Sequence, residues 1–281
     1  MTLRLEGFDI DAFVAATLAE DLGAGGDITS AAVIPADARF SGVMDSRDGI
    51  VVSGLPIAEA FFRALDPEVE IERLAEDGQA VDPGTDLLRL RGNARALLTA
   101  ERSALNTVQH LSGVATLTRR YVDAIAGTGA ILLDTRKTIP GLRVLEKYAT
   151  RMGGAQNHRM RLDDAAMIKD NHVAVAGSIG EAVRRAVAAG IARIIVEVDR
   201  LDQIEPALAA GGSHLLLDNM DAGTLREAVR IVGGRVPTEA SGGVTLKTIR
   251  AKAETGVTYV SVGRITQSAP AADIGLDFSA A

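Results

Sequence analysis

Basic and histidine side chains are concentrated between Asp134 and His172, in the motifs DTRKT, NHR and IKDNH. This stretch holds eight Lys and Arg against five Asp and Glu, although the chain as a whole has a net charge of −7. Arg presents a planar fork of N–H donors and Lys a compact positive charge, and both bind phosphates and carboxylates. The stretch therefore predicts a site for a polyanionic ligand.

The two pairs of neighbouring residues in this stretch suit anion binding. Arg136 and Lys137 follow directly on the apolar run AILLD, so we expect them at the exit of a strand, where a ligand can reach them. Two solvated surface charges are the alternative. His158 and Arg159 follow the flexible run GGAQN. A flexible backbone can approach a ligand closely, and an imidazole beside a guanidinium can donate to a carboxylate.

Lys169 closes the apolar run AAMI, which predicts an ammonium group inside the mouth of a sheet. A buried lysine needs an anion beside it or a lowered pKa. Two functions remain open for it, an anion ligand and a Schiff-base nucleophile of the aldolase kind. A lysine that extends out of the sheet end into solvent is the structural alternative.

Two carboxylates and two glycine-containing motifs end the later apolar runs. Glu197 and Asp218 cannot bind phosphate, so we expect them to bind ribose hydroxyls or a hydrated Mg²⁺, unless they only pair with Lys169. SGG at 241–243 and VGR at 262–264 come at the next two run ends. Their backbone N–H groups predict a phosphate cradle.

The elements that must position these residues form a repeated pattern after about residue 128. Six apolar runs, AILLD, AAMIK, ARIIVEV, SHLLLD, VPTEA and VTYVSV, alternate with amphipathic stretches such as SIGEAVRRAVAAG. The spacing suits one strand, one helix and two short loops for each repeat. The pattern predicts a parallel α/β barrel whose mouth is lined by the polar residues at the strand ends.

The first part of the chain predicts a smaller α+β domain. We expect a helix at 9–22, strands within 38–52 and 70–91, and a turn at DPG, 82–84. A long helix from 94 to about 127, loosened at Ser112 and Gly113, leads into the barrel. The predicted domains are residues 1–112 together with the tail 270–281, and residues 113–269.

Bulk composition excludes several classes of protein. The chain has no cysteine, which rules out disulfides and thiolate chemistry, and no apolar run approaches the ~20 residues of a membrane helix. The N-terminal residues lack a basic start followed by an apolar core, which argues against secretion. Without Trp and with 3% aromatic residues, an acidic chain is a poor nucleic-acid binder. We expect a cytoplasmic protein.

Motifs along nearly the whole chain resemble those of the quinolinate phosphoribosyltransferases, the carboxylating nicotinate-nucleotide pyrophosphorylases. The matching segments are EDLGAGGDIT, TAERSALN, LSGVATLT, DTRKTIPGLR, EKYA, GGAQNHR, IKDNH, EVD, LLDN, SGG and SAPAADIGLDF. The resemblance implies a small N-terminal domain on an incomplete α/β barrel, and a homodimer with sites shared between subunits. It also implies Mg²⁺-dependent transfer of phosphoribosyl from phosphoribosyl pyrophosphate to quinolinate. Decarboxylation in NAD biosynthesis then gives nicotinate mononucleotide, pyrophosphate and CO₂.

The resemblance also assigns a role to each site residue. Arg136, His158 and Arg159 would hold the quinolinate carboxylates, with Arg102 of TAER reaching in from the partner subunit and Thr135 in the same group of substrate-binding residues. Lys137 and Lys169 would serve the carboxylates and the diphosphate, and Glu197 and Asp218 the ribose hydroxyls. Mg²⁺ would lie on the diphosphate, without a dedicated protein site. The 5′-phosphate would be bound by Ser241, Gly242, Gly243, Val262, Gly263 and Arg264.

Some positions depart from the family pattern, and other functions stay open. Met160 and Arg161 follow NHR where a small residue and Gly are common, and Ala240, Arg264 and Gln267 replace more usual residues near the phosphate motifs. Arg161 is either a ligand or a surface residue. The alternatives are a molybdenum-associated paralogue, a Schiff-base aldolase that uses Lys169, and a non-catalytic phosphate-binding barrel.

Overall fold

The computed structural model describes residues 3–280, with the backbone alone for residues 279 and 280. Residues 1, 2 and 281 of the predicted domains lie outside this range. The elements up to residue 124 are α1 (Ile10–Leu22), α2 (Ile28–Val33), β1 (Arg39–Ser46), β2 (Ile50–Val51), α3 (Leu55–Leu65), β3 (Glu70–Arg73), β4 (Ala80–Val81), β5 (Thr85–Asn93) and α4 (Ala94–Ala124).

The remaining elements alternate between strand and helix, except that α6 and α7 follow each other directly. A 3₁₀ turn at Leu201–Gln203 precedes α8. The elements are β6 (Ile131–Leu133), α5 (Arg143–Met152), β7 (Ala166–Ile168), α6 (Asp170–Ala176), α7 (Ile179–Ala188), β8 (Ile194–Val198), α8 (Ile204–Ala209), β9 (His214–Asp218), α9 (Ala222–Val232), β10 (Thr238–Ser241), α10 (Ile249–Ala253), β11 (Tyr259–Ser261), α11 (Arg264–Gln267) and β12 (Ile274–Ala280).

The chain forms two compact units. The first contains Met1–Leu117, Val144–Gly154 and Ser268–Ala281, and the second contains Thr118–Arg143 and Ala155–Gln267. In the first unit β12, β1, β5 and β3 form an antiparallel sheet in that order, and β2 pairs with β4. Its core includes Phe61, Phe62, Leu88 and Leu97, all fully buried. This unit has the predicted α+β character.

The second unit is built on one parallel sheet with the strand order β6-β11-β10-β9-β8-β7. Each of the six predicted apolar runs forms one of these strands, and the branched side chains of β8 and β9 are buried. Among the described residues β6 and β7 end the sheet without pairing with each other. The prediction of an incomplete parallel α/β barrel with a smaller α+β unit is therefore confirmed.

Local sequence signals account for several element ends. Asp9 accepts a hydrogen bond from the backbone N–H of Ala12 at 3.0 Å and begins α1. Ser178 accepts one from the N–H of Glu181 at 3.2 Å and begins α7. The predicted loosening at Ser112 and Gly113 is wrong, because α4 runs through both residues. Gly113 serves a close approach instead, since a Cβ atom there would overlap the carbonyl oxygen of Pro270.

None of the helices among the described residues is both long and apolar enough to span a membrane.

Candidate active site

A cavity of about 710 Å³ opens at the C-terminal edge of the parallel sheet. Its lining comes from the ends of all six strands and from the loops that follow them, and every lining residue belongs to the second unit. It brings together fourteen of the fifteen predicted site residues: Thr135, Arg136, Lys137, His158, Arg159, Lys169, Glu197, Asp218, Ser241, Gly242, Gly243, Val262, Gly263 and Arg264.

The buried carboxylate of Asp134 connects the first two basic motifs. One of its oxygens accepts the backbone N–H of His158 at 2.8 Å, and the other accepts the side-chain amide of Asn157 at 2.6 Å. Asp134 directly follows β6, so this contact brings NHR next to the strand end that carries Arg136. A charged acceptor on a backbone N–H is a strong and directional contact. The two motifs therefore form one basic surface.

Arg136 and Arg159 stand close together on this surface without a carboxylate between them. Arg159 is 8% exposed, and its guanidinium donates to the carbonyl oxygen of Ala165 at 2.8 Å. The Nε atoms of both arginines are buried and have no hydrogen-bond partner among the described residues. Burial and the nearby Arg136 cation lower the pKa of Arg159, although Asp164 partly opposes this. Two confined cations with unused donors form a binding site for an anion.

Lys169 and Glu197 form an ion pair at the edge of the cavity, with 2.7 Å between Nζ and Oε2. The lysine side chain is 47% exposed, so the expectation of a buried ammonium is wrong. The physical reason is that Lys169 lies beyond β7 and serves as the N-cap of α6. Pairing with a carboxylate favours an anion ligand over a nucleophilic amine, and the role of Lys169 stays a prediction.

Asp218 lies at the end of β9 and lines the same cavity as Glu197. Its carboxylate accepts a hydrogen bond from the side-chain amide of Asn219 at 2.5 Å. Burial raises the pKa of Asp218, and the neighbouring Glu197 carboxylate adds to this, while Lys169 and Lys137 oppose it. Two carboxylates that share one region favour a ligand with hydroxyl donors or a cation.

The SGG and LLDN segments pack tightly against each other. Asn219 adopts a left-handed backbone with φ 55°, and its N–H donates to the carbonyl oxygen of Ser241 at 3.1 Å. Gly242 has φ 82°, and a Cβ atom there would overlap the Asn219 side chain. Only glycine meets both demands at this position. The loop therefore lines the cavity with two residues that have no side chain, and its role as a phosphate cradle stays a prediction.

Comparison with known proteins identifies the family. The model of the quinolinate phosphoribosyl transferase C-terminal domain matches residues 114–277, and that of the N-terminal domain matches residues 27–112. The chain belongs to the quinolinate phosphoribosyl transferase family. It is an enzyme of the phosphoribosyltransferase class.

Relatives of this family are similar over almost their whole length. A probable nicotinate-nucleotide pyrophosphorylase (carboxylating) of a Synechocystis species is 43% identical, covering 95% of this chain and 92% of the relative. The Mycobacterium leprae nicotinate-nucleotide pyrophosphorylase (carboxylating) is 45% identical, with 92% and 94% covered. The crystal structure of NadC from Streptococcus pyogenes superposes with a TM-score of 0.95 at 36% identity, covering 99% of each chain.

Two residues near the quinolinate phosphoribosyl transferase site had no predicted role. Glu239, at the end of the run VPTEA, was expected to line the mouth and does so, whereas His214 beside it was not predicted. Glu239 is fully buried, and its Oε2 atom lies 3.3 Å from Nε2 of His158 and 3.0 Å from Nε2 of His214. Both Nε2···Oε2 distances are short, but the N–H···O geometry is not that of a linear hydrogen bond. Burial alone would raise the pKa of Glu239, but the two imidazoles outweigh it and lower the pKa to about 2. The available signal was period-two alternation, which puts His214 on the same face of β9 as Asp218.

The remaining predicted residues lie away from this cavity or at its rim. Arg102 is exposed on α4 in the first unit, and its contribution to a partner's site stays a prediction. Arg161 is exposed and donates to Asp163 at 3.0 Å, so among the described residues its recorded contacts are those of a surface residue. Of the other departures from the family pattern, Gln267 lines the cavity and Ala240 is buried.

A larger groove of about 860 Å³ lies in the first unit, between the N-terminal residues, α1 and α3. Its charged residues Glu59 and Arg73 pair with each other at 2.6 Å. The groove does not contain any of the predicted site residues. The cavity of the second unit is therefore the candidate active site.

Proposed function

We propose that this chain catalyses the Mg²⁺-dependent transfer of phosphoribosyl from phosphoribosyl pyrophosphate to quinolinate, with decarboxylation to nicotinate mononucleotide in NAD biosynthesis. The observation that carries the proposal is that one cavity contains complementary groups. Two arginines with unused buried donors, two carboxylates and a glycine loop all line it. Relatives that share most of the chain bear the corresponding names.

The basic side suits quinolinate, which has two carboxylates on adjacent ring carbons. Arg136 and Arg159 can each bind a carboxylate through the guanidinium fork, and Lys137 adds a third cation at the same rim. Thr135 and His158 line the same part of the cavity. Nearby Met167 and Leu216 offer an apolar surface for the flat ring.

The other side suits phosphoribosyl pyrophosphate. Glu197 and Asp218 can accept hydrogen bonds from the ribose hydroxyls, and the loops at 241–243 and 262–264 offer backbone N–H groups to the 5′-phosphate. Lys169 is placed to exchange part of its pairing with Glu197 for the diphosphate. We count Lys137, Lys169, Glu197 and Asp218 as the catalytic residues of the proposal.

Mg²⁺ fits this donor set when it arrives with the substrate. Among the described residues, no group of three or more His, Cys, Asp or Glu could hold a metal. Mg²⁺ usually takes one or two carboxylates together with substrate phosphates, and Glu197 and Asp218 supply that number. When bound, the ion would neutralise charge on the diphosphate.

The reaction follows from these placements. The pyridine nitrogen of quinolinate forms a bond to C1′ of the ribose as the C1′–diphosphate bond breaks, with positive charge developing on the sugar. Cationic side chains at the rim stabilise the departing diphosphate. The pyridinium product then loses its 2-carboxylate as CO₂, because the cationic ring accepts the electron pair. The ring carbon takes up a proton.

The direct test is a turnover assay with the purified chain. Quinolinate, phosphoribosyl pyrophosphate and Mg²⁺ should give nicotinate mononucleotide and CO₂, and chelation of Mg²⁺ should abolish product. The Lys169→Ala variant should lose most activity, whereas Lys247→Ala, which removes an exposed lysine outside the cavity, should keep it. Absence of product from the wild-type chain at saturating substrates would refute the proposal. Borohydride trapping of a carbonyl substrate on Lys169 would instead favour an aldolase.

The proposal includes a cytoplasmic homodimer in which Arg102 of one subunit completes the site of the other. The family motif TAER supports this assignment of Arg102. The exposed position of its side chain on α4 leaves it available to a second subunit.

A further inference from the structure

Glu239 is a fully buried carboxylate to which the proposed reaction gives no role. It lies at the floor of the cavity, in register with Leu216 of β9 and Tyr259 of β11. A buried carboxylate is costly unless N–H donors or cations surround it. His158 and His214 approach it from separate segments, with their Nε2 atoms 3.3 and 3.0 Å from Oε2. The site therefore retains a negative charge beneath its cationic side.

The other nitrogen of the His158 ring shows which tautomer is present. Nδ1 accepts the backbone N–H of Arg159 at 2.7 Å. A ring nitrogen that accepts a hydrogen bond has no proton, so the proton of the neutral ring is on Nε2. Nε2 lies 3.3 Å from Oε2 of Glu239, in a contact that is short but not linear. A carboxylate at this point favours the Nε2–H tautomer and so keeps Nδ1 available as an acceptor.

The tautomer of His158 affects Arg159, because His158 binds the backbone N–H of Arg159. Its N–H is bound by His158 and its guanidinium by the carbonyl oxygen of Ala165. Both contacts restrain the side chain at the position where its unused Nε stands near Arg136. Rotation of the His158 ring or a change of tautomer would release the first of them.

His214 approaches the same oxygen of the Glu239 carboxylate, with its Nε2 atom 3.0 Å from Oε2. Its ring stacks on Tyr259 with 5.6 Å between centroids and 20° between planes, which restricts its orientation. It therefore helps to keep the Glu239 carboxylate in place beneath the arginines. We infer that Glu239, supported by His214, is a positioning residue for a dicarboxylate subsite, because it selects the His158 tautomer that orients Arg159. The identity of the ligand rests on the proposed function, whereas the tautomer does not.

The first test reads the tautomer in the wild-type chain. The chain has only four histidines, so ¹⁵N-histidine labelling with a long-range ¹H–¹⁵N spectrum can resolve them, and the His158→Asn variant assigns the signal. At pH 7.5 we expect His158 as the neutral Nε2–H form. A spectrum of the Nδ1–H form or of the imidazolium would overturn the inference, whether or not the chain turns over quinolinate.

The second test separates positioning from general structural support. Glu239→Met keeps a similar volume but removes the acceptor, and we expect the KM for quinolinate to rise about tenfold or more while the KM for phosphoribosyl pyrophosphate stays within about twofold. Glu239→Gln retains an acceptor oxygen and should keep both KM values within about threefold of the wild type. An unchanged quinolinate KM in Glu239→Met, or an equal rise for both substrates, would overturn the inference.

The two tests also distinguish a failure of this inference from a failure of the proposed function. If the wild-type chain makes no nicotinate mononucleotide, the proposed function fails, while the His158 spectrum still tests the positioning role. Should Glu239→Met fail to fold, Glu239→Gln must keep the Nε2–H signal of His158. Loss of that signal in a folded Glu239→Gln variant would count against the inference.

Discussion

At the scale of single residues, the site depends on side chains that are confined before any ligand binds. Arg159 is held by two hydrogen bonds and remains beside another cation, Arg136. An arginine restrained in this way loses little conformational freedom when a carboxylate binds, so more of the contact energy appears as affinity. Anion binding by Arg159 is therefore expected to depend on the planar arrangement of its guanidinium donors as much as on its positive charge.

Arg159→Lys should therefore weaken quinolinate binding although it keeps the positive charge. Lysine has one ammonium group and lacks the planar guanidinium, so it cannot donate to the Ala165 carbonyl and also bind a carboxylate in the geometry of arginine. We therefore expect a loss of about 10–100-fold in kcat/KM for quinolinate. Steady-state kinetics with each substrate varied in turn checks this. Arg161→Lys, two residues away in an exposed position, is the matched control and should change little. Equal effects of the two changes would contradict the role of Arg159.

Gly242 is the residue of the proposed phosphate-binding loop at which an added side chain is least tolerated. Gly242→Ala adds a methyl group that overlaps Asn219, at a positive φ, so the loop must shift. We expect the KM for phosphoribosyl pyrophosphate to rise about tenfold or more, since a misplaced cradle loses hydrogen bonds to the phosphate. Gly234→Ala is the control, because Gly234 also has a positive φ of 74° but no atom within 4 Å of the added Cβ. An unaltered KM in Gly242→Ala would mean that this loop does not bind phosphate.

At the scale of elements, the site is possible because six short parallel strands end at one edge. Several of these strands contribute a buried apolar segment and then a polar residue, as with Ile168 before Lys169 and Leu217 before Asp218. The strand ends are joined by contacts across the edge, including the 2.7 Å hydrogen bond from the Thr266 hydroxyl to the carbonyl oxygen of Lys137. The helices mainly cover the sheet and hold these ends in register.

Helix α4 offers a test of close packing in the first unit. Gly113→Ala improves helix propensity, which alone would stabilise by about 0.5–1 kcal/mol. The added methyl overlaps the Pro270 carbonyl, so we expect a net destabilisation of about 1–3 kcal/mol. Gly223→Ala in α9 meets only an ordinary contact at 3.4 Å and should be neutral or stabilising. Urea unfolding followed by circular dichroism compares them, and a stabilised Gly113→Ala would show that the packing relaxes freely.

At the scale of the whole molecule, the active site is proposed to need two chains. Every described residue of the cavity belongs to one unit of one chain, whereas Arg102 lies in the other unit. A symmetric dimer can supply the missing arginine twice, because each subunit gives one Arg102 and receives one.

Subunit mixing tests this arrangement directly. Arg102→Ala and Lys169→Ala should each lose most activity, yet an equal mixture that is unfolded and refolded together should regain about a quarter of the wild-type activity. Half of the dimers would then be mixed, and each mixed dimer would carry one intact site. The mixture of two Lys169→Ala preparations is the control and should stay inactive. No recovery in a mixture shown to contain mixed dimers would exclude a shared site.

The sequence alone determined which elements form and which residues end the strands, because hydrophobic periodicity and caps act over a few neighbouring positions. Lys169, Glu197 and Asp218 were found in this way, whereas the family was predicted from the resemblance of motifs such as DTRKTIPGLR, GGAQNHR and IKDNH. The tertiary structure decided the rest: that Asp134 binds the His158 loop, that Glu239 meets His158 and His214, and that Gly113 contacts Pro270. Such contacts join residues from 24 to more than 150 positions apart, and no local pattern encodes a distance between them. Only packing brings these residues together and places Arg159 beside Arg136.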